Sequence, residues 1–319
     1  MPKKVLLKVY YSLLFNYYKI SIGFYHLGRA LRYSANPKTR NGWIGAMRMR
    51  CHVLEKGLTM PNTRYGFGQT RILDIVNLLL KNRQYEKEEE YIYAIGLLKE
   101  YLNLHNRNKQ ELPVSFRNSI EKLTNNYPDI PPVKQIETTT DEYFSCVNAA
   151  FPLFNKSRRT VRFFENAALF NDVKEAIELA GFAPSACNRQ PVKCHYFEGD
   201  MVQSILKIQT GNNGFGHLAP QLIVLTTDVS MVGVKEYYDA FTNTGIFAMN
   251  LVYSLFYKKI ASCILNWSVT PTDDKLLRKI TGIPNHETIV LMVLLGKTPK
   301  DFKIALSKRQ SISEYLIRH

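Results

Sequence analysis

Strand-like sequence is confined to one part of this chain, and that restriction limits the possible folds more than any other feature. Short apolar runs bounded by turn-forming residues predict four β-strands, all of them after residue 141. Helical periodicity separates these strands, so we predict an α+β domain around a sheet that is buried on both faces. The predicted strands are 192–198, 221–227, 261–266 and 288–295, and the predicted helices lie near 142–150, 168–182, 200–209, 240–260 and 272–281.

The preceding part of the chain has helical patterns only. The stretch that follows Asn36 and Pro37, up to Gly68, is predicted to be rich in loops. Three later segments have helical periodicity, and their Lys/Glu-rich faces are typical of solvated helices. We therefore predict an all-helical N-terminal module, with helices over 70–82, 86–105 and 114–126.

A segment rich in proline and threonine separates the two parts. Pro128, Pro131 and Pro132 are followed by three consecutive threonines at 138–140. This composition is typical of a linker. The predicted domains are the helical module at 1–127, a linker at 128–141 and the α+β domain at 142–319.

The first 50 residues carry most of the positive charge. The chain has a formal net charge of +15, and residues 1–50 contain ten Lys and Arg residues but no Asp or Glu. Polar residues recur there at helical spacing between apolar and aromatic ones, which predicts a basic amphipathic helix over about 3–33. Two interpretations stay open for it: packing against protein, or peripheral contact with an anionic membrane surface.

The cysteines and histidines exclude several classes of site. Five scattered cysteines form no C-x-x-C pair, which disfavours a zinc module or disulfide scaffold and favours a reducing compartment. We expect a cytoplasmic protein, or one held peripherally at the inner face of the membrane. No recognition motif accompanies the basic segment, so no nucleic-acid partner is expected. His52 and Glu55 lack a third metal ligand nearby; we expect no metal site and interpret them as a capping or surface pair.

Basic residues at the start of the α+β domain suit an anionic ligand. Arg158, Arg159 and Thr160 offer forked donors and a hydroxyl for a phosphate and a polyol. Arg162 can reach another edge of the same ligand. Near the C-terminus, Lys308 and Arg309 are a further candidate phosphate clamp.

The loop at 180–191 suits a planar ring. Its small residues allow the backbone to approach a ring closely, and the side-chain amides of Asn188 and Gln190 can meet the edge of that ring. The loop lies between a predicted helix and a predicted strand. These basic and loop segments together indicate a planar, anionic ligand.

The two longest motifs resemble those of the nitroreductase family of FMN-dependent oxidoreductases. The pattern R-R-[ST]-x-R-x-F stands at 158–164, and A-P-S-x-x-N-x-Q-P stands at 183–191. Ala219 and Pro220 before an apolar strand and the late basic pair support the resemblance, which covers about 150–319. It implies a mixed sheet flanked by helices and a homodimer with FMN at the subunit interface.

The resemblance also implies roles for individual residues. Arg162 would contact the pyrimidine edge of FMN and stabilise negative charge on the reduced ring, which makes it the candidate catalytic residue. The implied phosphate contacts are Arg158, Arg159, Thr160, Lys308 and Arg309. The implied contacts from the partner subunit are Pro184, Ser185, Ala186 and Asn188. The implied cofactor site is completed by Gln190 and, more weakly, by Asn213.

The expected activity follows from the resemblance. It implies hydride transfer from NAD(P)H through flavin N5 to an unidentified small-molecule acceptor, by a ping-pong scheme. Two alternatives stay open. One is a flavin protein with other chemistry, such as dehalogenation, flavin breakdown or dehydrogenation. The other is a protein that binds a membrane or a partner on an inactive flavin fold.

The N-terminal module resembles that of nitroreductase-like proteins associated with polysaccharide biosynthesis. The motif that carries this resemblance runs from His52 to Leu58 and continues at Arg64. As a hypothesis, the module folds over the flavin pocket, where His52, Lys56 and Arg64 hold an anionic substrate such as a sugar phosphate. The alternative is a structural connector whose glycines form turns.

Overall fold

The computed structural model describes Phe24 and residues 39–233 and 236–319. Apart from Phe24, the predicted amphipathic helix at 3–33 and its membrane contact lie outside the described residues. Across the described part of the chain, no helix combines the length and apolar character that a membrane crossing requires.

Four α-helices pack around a core of their own in the described part of the N-terminal unit, from residue 39 onward. Their bounds are α1 Arg40–Leu58, α2 Gln69–Lys81, α3 Glu89–Arg107 and α4 Val114–Thr124. The core contains Trp43, Met47, Tyr91 and Tyr101, none of which exposes any measurable surface. The all-helical character predicted for this part is therefore present in its described residues.

Residues 40–58, which were predicted to be rich in loops, form the helix α1, so that prediction is wrong for this segment. Thr39 caps this helix, since its hydroxyl accepts a hydrogen bond from the Gly42 amide at 3.1 Å. Buried residues then recur every three or four positions along α1, at Trp43, Met47, Cys51 and Leu54. Its glycines and basic residues concealed this periodicity, because helix propensity is a weak guide when tertiary packing stabilises the helix.

The second unit alternates helices and strands. Its elements are β1 Ile136–Thr139, α5 Thr140–Tyr143, α6 Phe151–Ser157, α7 Phe170–Ala180, β2 Val192–Glu198, α8 Asp200–Leu206, β3 Gln221–Asp228, α9 Tyr237–Tyr257, β4 Ala261–Asn266, α10 Pro271–Thr281, β5 Glu287–Gly296 and β6 Asp301–Ile304. The predicted α+β class and all four predicted strands are confirmed.

The main sheet has the strand order β2-β3-β5-β4. Its pairings are all antiparallel, which differs from the mixed sheet that the resemblance implied. Strands β3 and β4 run in the same direction, and helix α9 connects them in sequence. In the sheet they are separated by β5, which pairs with both. Side chains alternate across the sheet, with Val224 and Met292 packed on one face and Ile223 and Val293 on the other. Both faces are therefore buried.

One strand of a two-stranded ribbon lies within the segment predicted to be a linker. Strand β1 pairs with β6, with Ile136 opposite Ile304 and Thr139 opposite Asp301. The helix predicted near 142–150 is replaced by the short helices α5 and α6, which lie on either side of a turn. The partner of β1 lies more than 160 residues away, so local sequence carries no signal for this pairing.

The end of α1 approaches its neighbours closely. A Cβ added at Gly57 would lie 1.9 Å from Cε2 of Phe67, so only glycine fits beneath this ring. On the same helix, a Cβ at Gly45 would meet nothing within 4 Å. Lys56 donates a hydrogen bond to the Gly211 carbonyl at 3.2 Å, which joins α1 to the second unit.

The substitution Gly57→Ala should lower the free energy of unfolding by about 1–3 kcal/mol, because the Phe67 ring has to move. The matched control is Gly45→Ala on the same helix, which should raise stability by roughly 1 kcal/mol through helix propensity. Chemical denaturation of both variants measures the difference. Equal stability of the two variants would contradict this packing.

Candidate functional site

A cavity of about 340 Å³ lies between α1, α3 and the second unit. Its wall brings together residues from four separate parts of the sequence. They are Arg48, Cys51, His52, Glu55, Glu89, Glu90, Tyr93, Arg159, Thr160, Arg162, Ala305, Ser307, Lys308, Arg309 and Gln310.

The backbone of the segment 158–162 is fixed at the edge of the main sheet. The Val161 amide donates to the carbonyl of Ser262 in the edge strand β4 at 3.0 Å. The hydroxyl of the buried Tyr143 donates to the Arg159 carbonyl at 2.7 Å. These bonds leave the side chains of Arg159 and Arg162 at the cavity wall.

The guanidinium groups of this segment are incompletely satisfied. The Nε atoms of Arg158 and Arg162 are buried and have no hydrogen-bond partner among the described residues. Burial lowers the pKa of Arg159, and the nearby charges of Arg309 and Arg158 lower it further. A buried, unpartnered donor is costly unless a ligand supplies an acceptor. The segment is therefore suited to bind an anion with several oxygens.

The C-terminal wall of the cavity has a strained backbone. Ser307 has φ 47°, in the left-handed region that residues other than glycine rarely occupy. Its amide donates to Glu55 Oε1 at 2.9 Å. The following Lys308 pairs with Glu89 at 2.9 Å, and Arg309 is exposed beside it.

Glu55 is the functional candidate that the sequence analysis misjudged. It is only 3% exposed and lies in the cavity wall, so it is neither a cap nor a surface residue. The Tyr93 hydroxyl donates to Glu55 Oε1. Burial raises the pKa of Glu55. That rise is opposed by the hydrogen bonds from Tyr93 and Ser307 and by the positive charges of Arg162 and Arg309. The signal that could have identified it is its place among the buried positions of α1.

The three predicted substrate residues are placed differently. His52 lines the cavity, with Nδ1 3.9 Å from Glu55 Oε2. Lys56 lies outside the wall, and its Nζ is 5.1 Å from the centre of the Phe215 ring. The Cζ atom of Arg162 is 5.6 Å from the centre of the same ring. Burial lowers the pKa of Lys56, as does the charge of Arg162. Arg64 is exposed and does not line this cavity.

The loop at 183–191 lines a separate pocket of about 290 Å³. Pro184, Ser185 and Gln190 lie in that wall, and it shares no lining residue with the arginine cavity. The Ala186 amide donates to Asn243 Oδ1 at 3.0 Å, and the exposed Asn188 accepts from Gln190 Nε2 at 3.0 Å. Positive φ angles at Cys187, Asn188 and Gln190 show local strain, which often marks ligand-binding loops.

Within one chain the structure thus gathers only part of the predicted cofactor site. Arg159, Thr160, Arg162, Lys308 and Arg309 line one cavity. Arg158 lies next to them in sequence but outside the lining. Asn213 lines a third pocket, with Asn212 and His217. Among the described residues, no group of three or more His, Cys, Asp or Glu side chains could hold a metal ion.

One family model matches part of the second unit. Residues 156–297 match the sequence model of the Nitroreductase family. The match covers just under half of the chain and includes the arginine segment and the loop at 183–191, but no residue of α1.

Several solved structures resemble the nitroreductase part of the chain. A nitroreductase family protein from Streptococcus pneumoniae TIGR4 is 23% identical, with 53% of this chain and 100% of that chain covered at a TM-score of 0.46. An FMN-dependent nitroreductase from Clostridium difficile R20291 is 18% identical. The alignment covers 47% of this chain and 89% of that chain, with a TM-score of 0.42. A nitroreductase-like family protein from Bacillus cereus is 19% identical. The alignment covers 54% of this chain and 96% of that chain, with a TM-score of 0.45. No curated protein matches the chain significantly.

The protonation of His52 should make folding sensitive to acid. Burial lowers the pKa of His52 from 6.5 to about 4, and the charges of Arg162 and Lys56 contribute. Between these two pH values the unfolded chain binds a proton that the folded chain does not, so stability falls as the pH is lowered through this window. We expect a modest effect, since 48% of the side chain is exposed.

An NMR titration of the His52 imidazole measures this pKa directly, and the variant His52→Gln should lose that part of the acid sensitivity. A midpoint at or above pH 6.5 would show that the ring is not held neutral by its surroundings.

Proposed function

We propose that the protein is an FMN-dependent oxidoreductase whose flavin phosphate binds in the arginine cavity. One observation carries the proposal: within the segment that matches the family model, Arg162 in the cavity wall has a buried Nε donor that lacks a partner among the described residues. Arg158, which lies just outside that lining, has a second such donor. A phosphate and the carbonyl edge of a flavin supply the acceptors that these donors need. The donor set therefore fits FMN.

Each residue then has a defined task. Arg158, Arg159 and Thr160 bind the phosphate and the ribityl hydroxyls, and Lys308 and Arg309 close the phosphate site. Arg162 orients the pyrimidine edge, and its fixed positive charge stabilises negative charge there. When bound, FMN would supply hydride transfer at N5 between a nicotinamide and a second substrate.

The electron donor in this proposal is NADH or NADPH, which leaves before the acceptor binds, in a ping-pong scheme. His52 is placed to contact an anionic acceptor, because it lies in the cavity wall. Lys56, which approaches the same Phe215 ring as Arg162, remains a proposed contact. Arg64 also remains a proposed contact, although it is exposed outside the cavity lining. We propose a sugar phosphate of polysaccharide synthesis as the class of acceptor, and a cytoplasmic protein whose basic residues 3–33 contact the inner face of the membrane.

A homodimer would complete the site. The pocket at Pro184, Ser185 and Gln190 is separate from the arginine cavity, so one chain offers two half-sites. Helix α9, whose Asn243 and Phe247 line the loop pocket, also exposes Tyr238, Phe241, Ile246 and Met249. Exposed apolar side chains that continue from a binding pocket suit a subunit interface. In the proposed dimer, Ser185, Ala186 and Asn188 reach the flavin of the partner.

Substitution of the unpartnered arginine tests the cofactor assignment. Arg162→Ala should weaken FMN binding by at least about tenfold, because a charge-assisted contact is lost. The matched control is Arg71→Ala on α2, whose side chain is 66% exposed and pairs only with Asp74 among the described residues. Fluorescence titration of cofactor-free protein with FMN measures both affinities. Equal affinities for Arg162→Ala and the wild type would reject the assignment.

A further inference from the structure

The residue before the Lys308-Arg309 pair holds an unfavourable backbone conformation. Ser307 has φ 47°, whereas residues with a Cβ strongly prefer negative φ. A strained residue keeps such a conformation only when its surroundings fix it. The direction in which Lys308 and Arg309 leave the strand β6 therefore depends on whatever holds Ser307.

Hydrogen bonds to three residues distant in sequence hold this segment. The Ser307 amide donates to Glu55 Oε1 at 2.9 Å, and the Leu306 amide donates to Gln135 Oε1 at 3.1 Å. The Leu306 carbonyl accepts from Arg159 Nη1 at 3.4 Å. Of these long-range bonds, the Glu55 bond is the one that reaches the strained residue, and it comes from α1, 252 residues away in sequence. The Ser307 carbonyl accepts a local bond from Arg309 Nη1 at 3.3 Å.

Glu55 is itself held firmly in place. It is 3% exposed, and the Tyr93 hydroxyl from α3 donates to the same Oε1 atom. Its helical neighbours Cys51 and Leu54 are buried in the N-terminal core. The carboxyl group therefore has a fixed position in the packed helical unit. Its hydrogen bond in turn fixes the position of the Ser307 amide.

We propose that Glu55 is a positioning residue for the phosphate site: it holds Ser307 in the left-handed conformation and so directs Lys308 and Arg309. The proposal rests on the proposed function, since it concerns the same FMN site. It makes the N-terminal helical unit part of the cofactor site, although the family match excludes that unit. Glu55 acts through Ser307, because an acceptor carboxyl would not itself bind a phosphate.

The test compares the FMN affinity of cofactor-free variants by fluorescence titration. Glu55→Ala should weaken binding about tenfold, because Ser307 loses its partner. Glu55→Gln should stay close to the wild type, since its amide oxygen can accept the same bonds. The control is Met49→Ala on α1, whose side chain is 58% exposed; it should bind FMN like the wild type.

A rescue experiment separates positioning from simple loss of packing. Glycine adopts positive φ without the Cβ penalty. The double variant Glu55→Ala/Ser307→Gly should therefore recover most of the affinity, to within about threefold of the wild type. A double variant that binds as weakly as Glu55→Ala would overturn the backbone role.

A substitution in the loop keeps the test decisive should Glu55→Ala fail to fold. Ser307→Pro removes the amide donor and cannot adopt φ 47°. It should lose affinity about as much as Glu55→Ala, and wild-type affinity in either variant overturns the proposal. Wild-type protein that binds no FMN rejects the proposed function itself, whereas binding that is insensitive to Glu55 and Ser307 rejects only the positioning role.

Discussion

Positive charge without enough counter-charge is the constraint on which the site depends. Of the carboxylates in the cavity wall, Glu89 pairs with Lys308, and Glu90 pairs with Arg48. Glu55 alone remains to balance the arginines at 158, 159, 162 and 309, and burial favours its neutral form. Like charges held this close are unfavourable unless an anion joins them. In the proposed function, a ligand with several negatively charged oxygens supplies the missing counter-charge.

The fold brings these charges together through long-range contacts. The edge strand β4 fixes Val161 and its neighbouring arginines, and the ribbon of β1 and β6 brings the chain after residue 304 back to the same place. Helix α1 then closes the cavity from the N-terminal unit. These three parts of the sequence meet a fourth, the start of α3, in the cavity wall. Deletion of the N-terminal unit would remove one wall of the cavity.

Sequence alone predicted the main sheet closely, because each of its strands is a short apolar run between turn residues. It failed where structure depends on distant partners. Strand β1 is polar and half exposed, and its pairing with β6 has no local signal. Helix α1 was misjudged because Gly45, Gly57 and its arginines weaken the periodic pattern. Glu55 was missed because a charged residue is expected at the surface, whereas the packing of α1 against α3 and against the second unit places it inside.

The central claim is that these arginines hold FMN in a site that two chains complete. Sedimentation velocity of the purified full-length protein, recorded at 280 nm and at the visible flavin absorbance with the released cofactor identified, tests both parts at once. The account predicts a single boundary at the mass of a dimer, with about one FMN per chain. A colourless boundary that stays colourless after addition of FMN would contradict it, and flavin bound to a monomer would remove the shared site.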